Sequence, residues 1–198
     1  MCVVMKIERK HRNLLIALSL GDGYINKKGY LDVWHSERQE ELVRYKYSLV
    51  RQYCNISIQE RLFSGKFRSL GFRTKTLEFA KLLRRILYKN GKKTLSRKIL
   101  NRLSPEHIAI WWMDDGTKGT KYNKNTGNIK ACVYRLCLCT SREQCQIVID
   151  WFREVYNINF GITKEKNNFS ITCGTKEGKK LSDILRPHII PSMLYKIS

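Results

Sequence analysis

Two aspartates in this chain stand in the same local setting. Asp22 closes the run LLIALSLGDG and Asp115, 93 positions later, closes HIAIWWMDDG. Each follows an almost uncharged apolar segment of helix length and precedes a glycine. A carboxylate at a helix C-terminus meets the negative end of the helix dipole, which costs about 0.3–1 kcal/mol. Two such helices side by side would also bring two carboxylates into mutual repulsion. A divalent cation relieves both penalties, and Mg²⁺ takes the carboxylate, carbonyl and water oxygens such a place offers. Metals about 3.5–4 Å apart can activate a water and stabilise the leaving oxygen in phosphodiester hydrolysis. A lone Asp-Gly after a helix is usually a turn. The pairing, in a chain with 38 Lys+Arg and only 17 Asp+Glu, points to chemistry instead.

The elements that must position these acids follow from apolar spacing. A first helix is predicted over about residues 8–20, ending at Gly21-Asp22-Gly23, where glycine lets the chain leave the helix. Short strands near Tyr24–Asn26 and Leu31–His35 turn at Lys27-Lys28-Gly29. Glu37 to Tyr53 has helical periodicity with Leu42, Tyr45, Leu49 and Tyr53 on one side. A hairpin, Ser57–Phe63 and Lys66–Arg73, turns at Ser64-Gly65, and a helix runs from Leu77 to Tyr88. In the second half Ser104 caps a helix with Pro105 at its first position. A polar turn over Lys118–Asn128 leads to a strand at Lys130–Thr140 and a helix at Glu143–Tyr156. A hairpin around Lys166-Asn167-Asn168 and a helix at Glu177–Leu185 complete that half. The order helix, hairpin, helix, hairpin, helix therefore occurs twice, and the two halves are placed at 1–101 and 102–198.

Composition narrows the partner. A length of 198 residues with 42 % hydrophobic content suits a folded core. The net charge of +21 exceeds what solubility requires and calls for a polyanion, with nucleic acid preferred to an acidic membrane. No apolar run approaches the ~18 residues of a spanning helix, so no membrane partner is expected. Residues 1–100 hold 23 Lys+Arg and 8 acids, residues 101–198 hold 15 and 9, so the first half should grip harder. Seven cysteines at irregular spacing, with no CxxC pair, fit neither a zinc site nor a disulfide framework. They suit small core residues in a reducing compartment. MCVVMKIERKH is too short in its apolar part for a signal peptide.

LIALSLGDG and IAIWWMDDG resemble the nine-residue signature of LAGLIDADG homing endonucleases. LSPEHIAIWWMDDGTKG and the final HIIPSMLYKIS are similar to the intron-encoded, single-chain branch with two motifs. The resemblance implies an α+β fold, a pseudo-two-fold duplicated αββαββα with two motif helices at the centre and two sheets forming a saddle over DNA. It implies Asp22 and Asp115 as metal-binding acids, with Gly21 and Asp114 giving main-chain carbonyls. It also implies a basic residue near each acid. The context KNGKKTL gives Lys93, with Lys89 as a rival, and MLYKI gives Lys196. The bulky Trp111 and Trp112 depart from the small residues the family uses where its motif helices cross. They are expected to fill core or inter-half packing rather than stack on bases.

Candidate DNA contacts lie on the hairpins, since a two-stranded ribbon fits the major groove. They are Arg61, Lys66, Arg68 and Arg73 in the first half, and Lys121, Lys130 and Arg135 in the second. About half should touch DNA, because strands alternate faces. The implied activity is Mg²⁺-dependent, staggered double-strand cleavage of a long asymmetric site by a monomer. An RNA-binding group I intron maturase, with intron RNA as partner, is the alternative. The expected setting is an organellar matrix (mitochondrion or chloroplast) or a bacterial cytoplasm.

Overall fold

The structure, a computed structural model, describes residues 8–63, 66–123 and 125–198. The expected turn at Ser64-Gly65 and Cys2 lie outside the described residues. Contacts divide the chain into two units, the first ending at Lys93 and the second spanning Thr94–Ser198. Residues 94–101, expected with the first half, therefore pack with the second.

In the first unit α1 (Arg9–Leu20) is followed by β1 (Tyr24–Ile25), β2 (Leu31–Ser36) and, after a single 3-10 turn, α2 (Glu40–Val50). Then come β3 (Gln59–Phe63), β4 (Phe67–Arg73) and α3 (Glu78–Leu87). The strands form one antiparallel sheet in the order β1-β2-β4-β3. Its core lies between Leu31, Val33 and Phe72 on the sheet and Leu42, Val43 and Val50 on α2. All seven residues from Leu14 to Leu20 are buried, as an apolar-all-round helix requires. A small hairpin, β5 (Tyr88–Lys89) with β6 (Lys92–Lys93), ends the unit. It was not expected, and it takes Tyr88 out of the predicted helix.

The second unit opens with α4 (Arg97–Leu100), which packs on a later helix, α6 (Arg142–Tyr156). The order then matches the first unit: α5 (Pro105–Asp115), β7 (Gly116–Tyr122), β8 (Ile129–Thr140), α6, β9 (Gly161–Glu165), β10 (Asn168–Gly174) and α7 (Thr175–Leu185). The sheet order is β7-β8-β10-β9. Both units thus carry the expected αββαββα order. The stretch Lys118–Asn128 corrects the sequence reading, because its first part is strand. GTKGTKY has no hydrophobic alternation, yet it pairs with β8 from Gly116↔Leu136 to Lys121↔Ala131. Backbone hydrogen bonds make this strand, with few buried side chains. Ser104 and His107 form the cap of α5, with Ser104 Oγ 2.6 Å from His107 Nδ1.

Candidate metal site and nucleic-acid faces

Both motif glycines are explained by space. Gly23 has a negative φ, and a Cβ there would stand 2.3 Å from the Leu18 carbonyl oxygen. At Gly116 a Cβ would stand 2.4 Å from the Trp112 indole. The chain thus turns from helix into strand so tightly after each acid that only glycine fits. Asp22 lies two residues beyond α1 and is half exposed, whereas Asp115 is the last residue of α5.

Each unit holds its motif with a lysine. Lys93 Nζ, at the end of the β5–β6 hairpin, donates to the carbonyl of Gly21 at 2.5 Å. Lys196 Nζ, in the 3-10 turn Pro191–Lys196, donates to the carbonyls of Met113 (2.6 Å) and Asp114 (2.8 Å). The two lysines therefore reach the equivalent carbonyl, that of the residue just before the acid. Lys89 is exposed on β5, opposite Lys92, so Lys93 is the lysine on the motif. These contacts cap helix C-termini with positive charge, where the dipole favours it. A carbonyl oxygen has two lone pairs, so a lysine bond leaves room for a second partner.

A ring nitrogen that the sequence alone does not single out stands at each carboxylate, as a hydrogen bond at Asp115 and as a 3.4 Å approach at Asp22. Trp111 Nε1 donates to Asp115 Oδ2 at 3.1 Å, one helical turn away. Trp111 is buried as core, as expected, but its N–H is aimed at the motif acid. Trp112, fully buried, donates to the Lys196 carbonyl at 3.2 Å. In the first unit His35 Nδ1 stands 3.4 Å from Asp22 Oδ2, and its side chain is 1 % exposed. Burial raises the Cys137 thiol, with Glu165 and Asp115 adding to the shift, so near neutral pH it offers no thiolate. The donors at each motif are then carboxylate and carbonyl oxygens, which suit a hard cation such as Mg²⁺.

The basic candidates separate by strand parity. Arg61 and Arg73 lie on the sheet face that also carries Asp32 and Trp34. Arg73 makes a two-pronged contact with Asp32 (2.7 and 3.1 Å), and Arg61 stacks on Trp34 at 3.5 Å. Arg68 has the opposite parity and bonds Glu60 at 2.6 Å. In the second unit Lys121 and Arg135 share the outward parity, and Arg135 bonds Glu165 at 2.9 Å. Lys130 is the extra residue of a bulge where the register shifts between Lys121 and Tyr122. Lys66 is exposed in the turn before β4.

Comparison with known proteins agrees with this geometry. A profile of the LAGLIDADG DNA endonuclease family matches residues 12–181. The chain is 28 % identical over 171 residues to the protein RecA of Mycolicibacterium fallax, covering 82 % of this chain and 39 % of that one. It is 32 % identical over 206 residues to the cytochrome b mRNA maturase bI2 of Saccharomyces cerevisiae, covering 93 % and 46 %. The chain thus spans less than half the length of these curated relatives. The solved structure of the homing endonuclease I-WcaI bound to its DNA recognition sequence shares the fold, with a TM-score of 0.79 at 24 % identity over 96 % of this chain and 87 % of that one. With the profile spanning both motifs and most of both units, the chain belongs to the LAGLIDADG DNA endonuclease family.

Proposed function

We propose that the chain is a site-specific DNA endonuclease that makes a Mg²⁺-dependent, staggered double-strand break in a long asymmetric target, as in intron homing. The observation that carries this reading is the repeated device at the two motifs. An acid follows a buried helix, a glycine follows with no room for a Cβ, and a lysine sits on the carbonyl just before the acid. Folding alone gives no reason to place an acid twice at the unfavourable end of a helix dipole.

In this reading Asp22 and Asp115 are the metal ligands, with Gly21 and Asp114 contributing carbonyl oxygens. Bound Mg²⁺ would supply Lewis acidity and a water activated near neutral pH. Lys93 and Lys196 keep an ammonium beside each acid, where it offsets the charge that grows on the phosphate oxygens. The outward faces with Arg61, Arg73, Lys121 and Arg135 grip duplex DNA, mostly through phosphate. Among the described residues six cysteines are free thiols, which suits the reducing interior of an organelle or a bacterial cell. No described helix is long and apolar enough to cross a membrane. We take the active species to be a monomer.

Incubation with genomic DNA carrying intron-free alleles, followed by mapping of the ends, tests this. Paired 3′ overhangs at one sequence are expected with Mg²⁺ and none with EDTA. The Asp22→Asn and Asp115→Asn chains should bind that DNA and leave it uncut. If either cuts as fast as the parent, the site assignment fails. The likeness to the bI2 maturase supports a second reading, an RNA-binding intron maturase. Accelerated splicing of a cognate group I intron without any DNA cleavage would establish that reading instead.

A further inference from the structure

His35 and Lys46 stand together beside the first motif. Lys46 is on α2 and His35 on β2, and they are 0 % and 5 % exposed. Lys46 Nζ lies 2.8 Å from His35 Nε2. The other ring nitrogen, Nδ1, lies 3.2 Å from Gln39 Oε1 and 3.4 Å from Asp22 Oδ2. An ammonium has only N–H donors, so a bond between Lys46 and Nε2 requires Nε2 to accept. A neutral imidazole with Nε2 accepting carries its proton on Nδ1. Both neighbours of Nδ1 are oxygen acceptors, which agrees.

We propose that Lys46 locks His35 in the Nδ1–H tautomer and so makes it a fixed donor that positions the Asp22 carboxylate. This rests on the reading of Asp22 as a metal ligand. The same arrangement argues against His35 as a ligand itself, because the nitrogen that faces Asp22 carries the proton. Histidines that bind metal normally give their other N–H to an acceptor, and here that place holds a lysine.

The second unit supports the assignment from the opposite direction. Counting from each acid, the residue two further on pairs with Asp32 in the first unit (Tyr24↔Asp32) and with Arg135 in the second (Thr117↔Arg135). His35 therefore corresponds to Leu138, which has no polar atom. Asp115 takes its ring N–H from Trp111 instead, and an indole nitrogen can only donate. Each acid is thus met by a ring donor. The indole is one by nature, and the imidazole is made one by Lys46.

The test uses the full chain with nitrogen-15-labelled histidine, free of metal and DNA. Long-range proton–nitrogen spectra should show one histidine, removed by His35→Gln, as the Nδ1–H tautomer. Lys46→Met should return that ring to the ordinary Nε2–H form, and Lys46→Gln, which keeps an N–H donor, should retain Nδ1–H. A parent ring in the Nε2–H form overturns the proposal. Titration with Mn²⁺ as the probe should show His35→Leu binding about 10- to 100-fold more weakly. His35→Gln, with an amide donor, should recover part of that loss. If His35→Leu keeps the parent affinity and the parent urea midpoint, or if Leu substitutes better than Gln, the positioning role is wrong. Asp22→Asn is titrated alongside. If it too keeps the parent affinity, the ligand assignment of Asp22 fails, and the tautomer result stands apart from that failure.

Discussion

Replacing Lys196 by Met removes one charge from a buried place while nearly keeping the side chain's length. Lys196 is 7 % exposed, and its ammonium bonds the carbonyls of Met113 and Asp114 at 2.6 and 2.8 Å. Hydrogen bonds to a charged group contribute about 1.5–3 kcal/mol each. A cation at a partly buried helix C-terminus contributes up to about 2 kcal/mol. These figures describe the same N–H bonds and are not added. The desolvation of a buried ammonium acts in the other direction and offsets part of the gain. What remains is two carbonyls in the last turn of α5 without their donor, so a net loss of about 2 kcal/mol is expected. Lys93→Met removes the bond to the Gly21 carbonyl at a half-buried position, where water replaces much of what a charged hydrogen bond contributes, so it should cost less than about 1 kcal/mol. Urea unfolding would then shift the Lys196→Met midpoint down by about 1 M and the Lys93→Met midpoint by less than half of that. Cleavage should fall in both by about 100- to 1000-fold at saturating Mg²⁺, the usual cost of losing a charge-stabilising donor. The reasoning is refuted if the cleavage loss follows the stability loss. A Lys93→Met chain that is slightly destabilised and cuts at the parent rate would make both lysines helix caps and nothing more.

Three further outcomes follow from the geometry. Gly116→Ala forces a methyl into the buried Trp112 indole and should cost about 1–3 kcal/mol. Gly23→Ala meets a backbone carbonyl that cannot rotate away, so its urea midpoint should fall at least as far. Burial lowers the His107 imidazole below its usual 6.5, and its Nδ1 serves the Ser104 cap. As pH falls below 6.5 the unfolded chain takes up the proton first, so stability drops until the folded group also titrates. His107→Gln should flatten part of that decline between pH 7 and pH 5 in urea midpoints, and an unchanged slope contradicts the assignment. Arg73→Ala should weaken duplex binding and lower its salt slope by about 1. Arg68→Ala, of opposite strand parity, should leave both unchanged when binding is measured from 50 to 200 mM salt.

The αββαββα order of each unit was legible because its long helices and most strands carry clear apolar periods. Where structure and apolar period part, another force sets the structure. Leu42 and, just past the helix, Tyr53 are buried as expected, but within α2 the buried side runs through Leu42, Val43, Lys46 and Val50, and Tyr45 and Leu49 are only partly covered. A hydropathy pattern excludes lysine from a core, so it misses a lysine whose burial is supported by His35 across the fold. In β7 glycine, threonine and lysine give no alternating signal and predict a turn, and only pairing with β8 makes the segment strand. At the motifs the family resemblance pointed to the acids, their glycines and Lys196. Lys93 and Lys89 could not be separated, because they are four apart in a stretch whose hairpin was not foreseen. The His35 and Trp111 contacts were hidden for different reasons. His35 reaches Asp22 across a strand pair, whereas Trp111 lies one turn from Asp115 and was absorbed into the expectation of core.

What the two units share and where they differ falls along the two faces of each sheet. Beneath the sheets, at the motifs, the glycine, the lysine on the preceding carbonyl and a ring N–H toward the acid all recur. On the outward faces the corresponding position is Asp32 in one unit and Arg135 in the other, so even the sign of charge is reversed. Each of the two is answered by an opposite charge on another strand, Arg73 for Asp32 and Glu165 for Arg135. Exposed pairs of this kind contribute little to stability, on the order of 0–1 kcal/mol. Fold maintenance therefore does not require the reversal. A protein that carries out one chemistry twice on an asymmetric duplex does have a use for it. On the proposed double-strand cleavage the same acid, lysine and turn would serve each strand, whereas the bases under each sheet would differ and call for different side chains. Exchanging Asp32 and Arg73 for their opposites as a pair should leave folding intact and alter which bases are preferred under the first sheet. A chain carrying both exchanges that folds and keeps the parent's base preference would separate these outward residues from recognition.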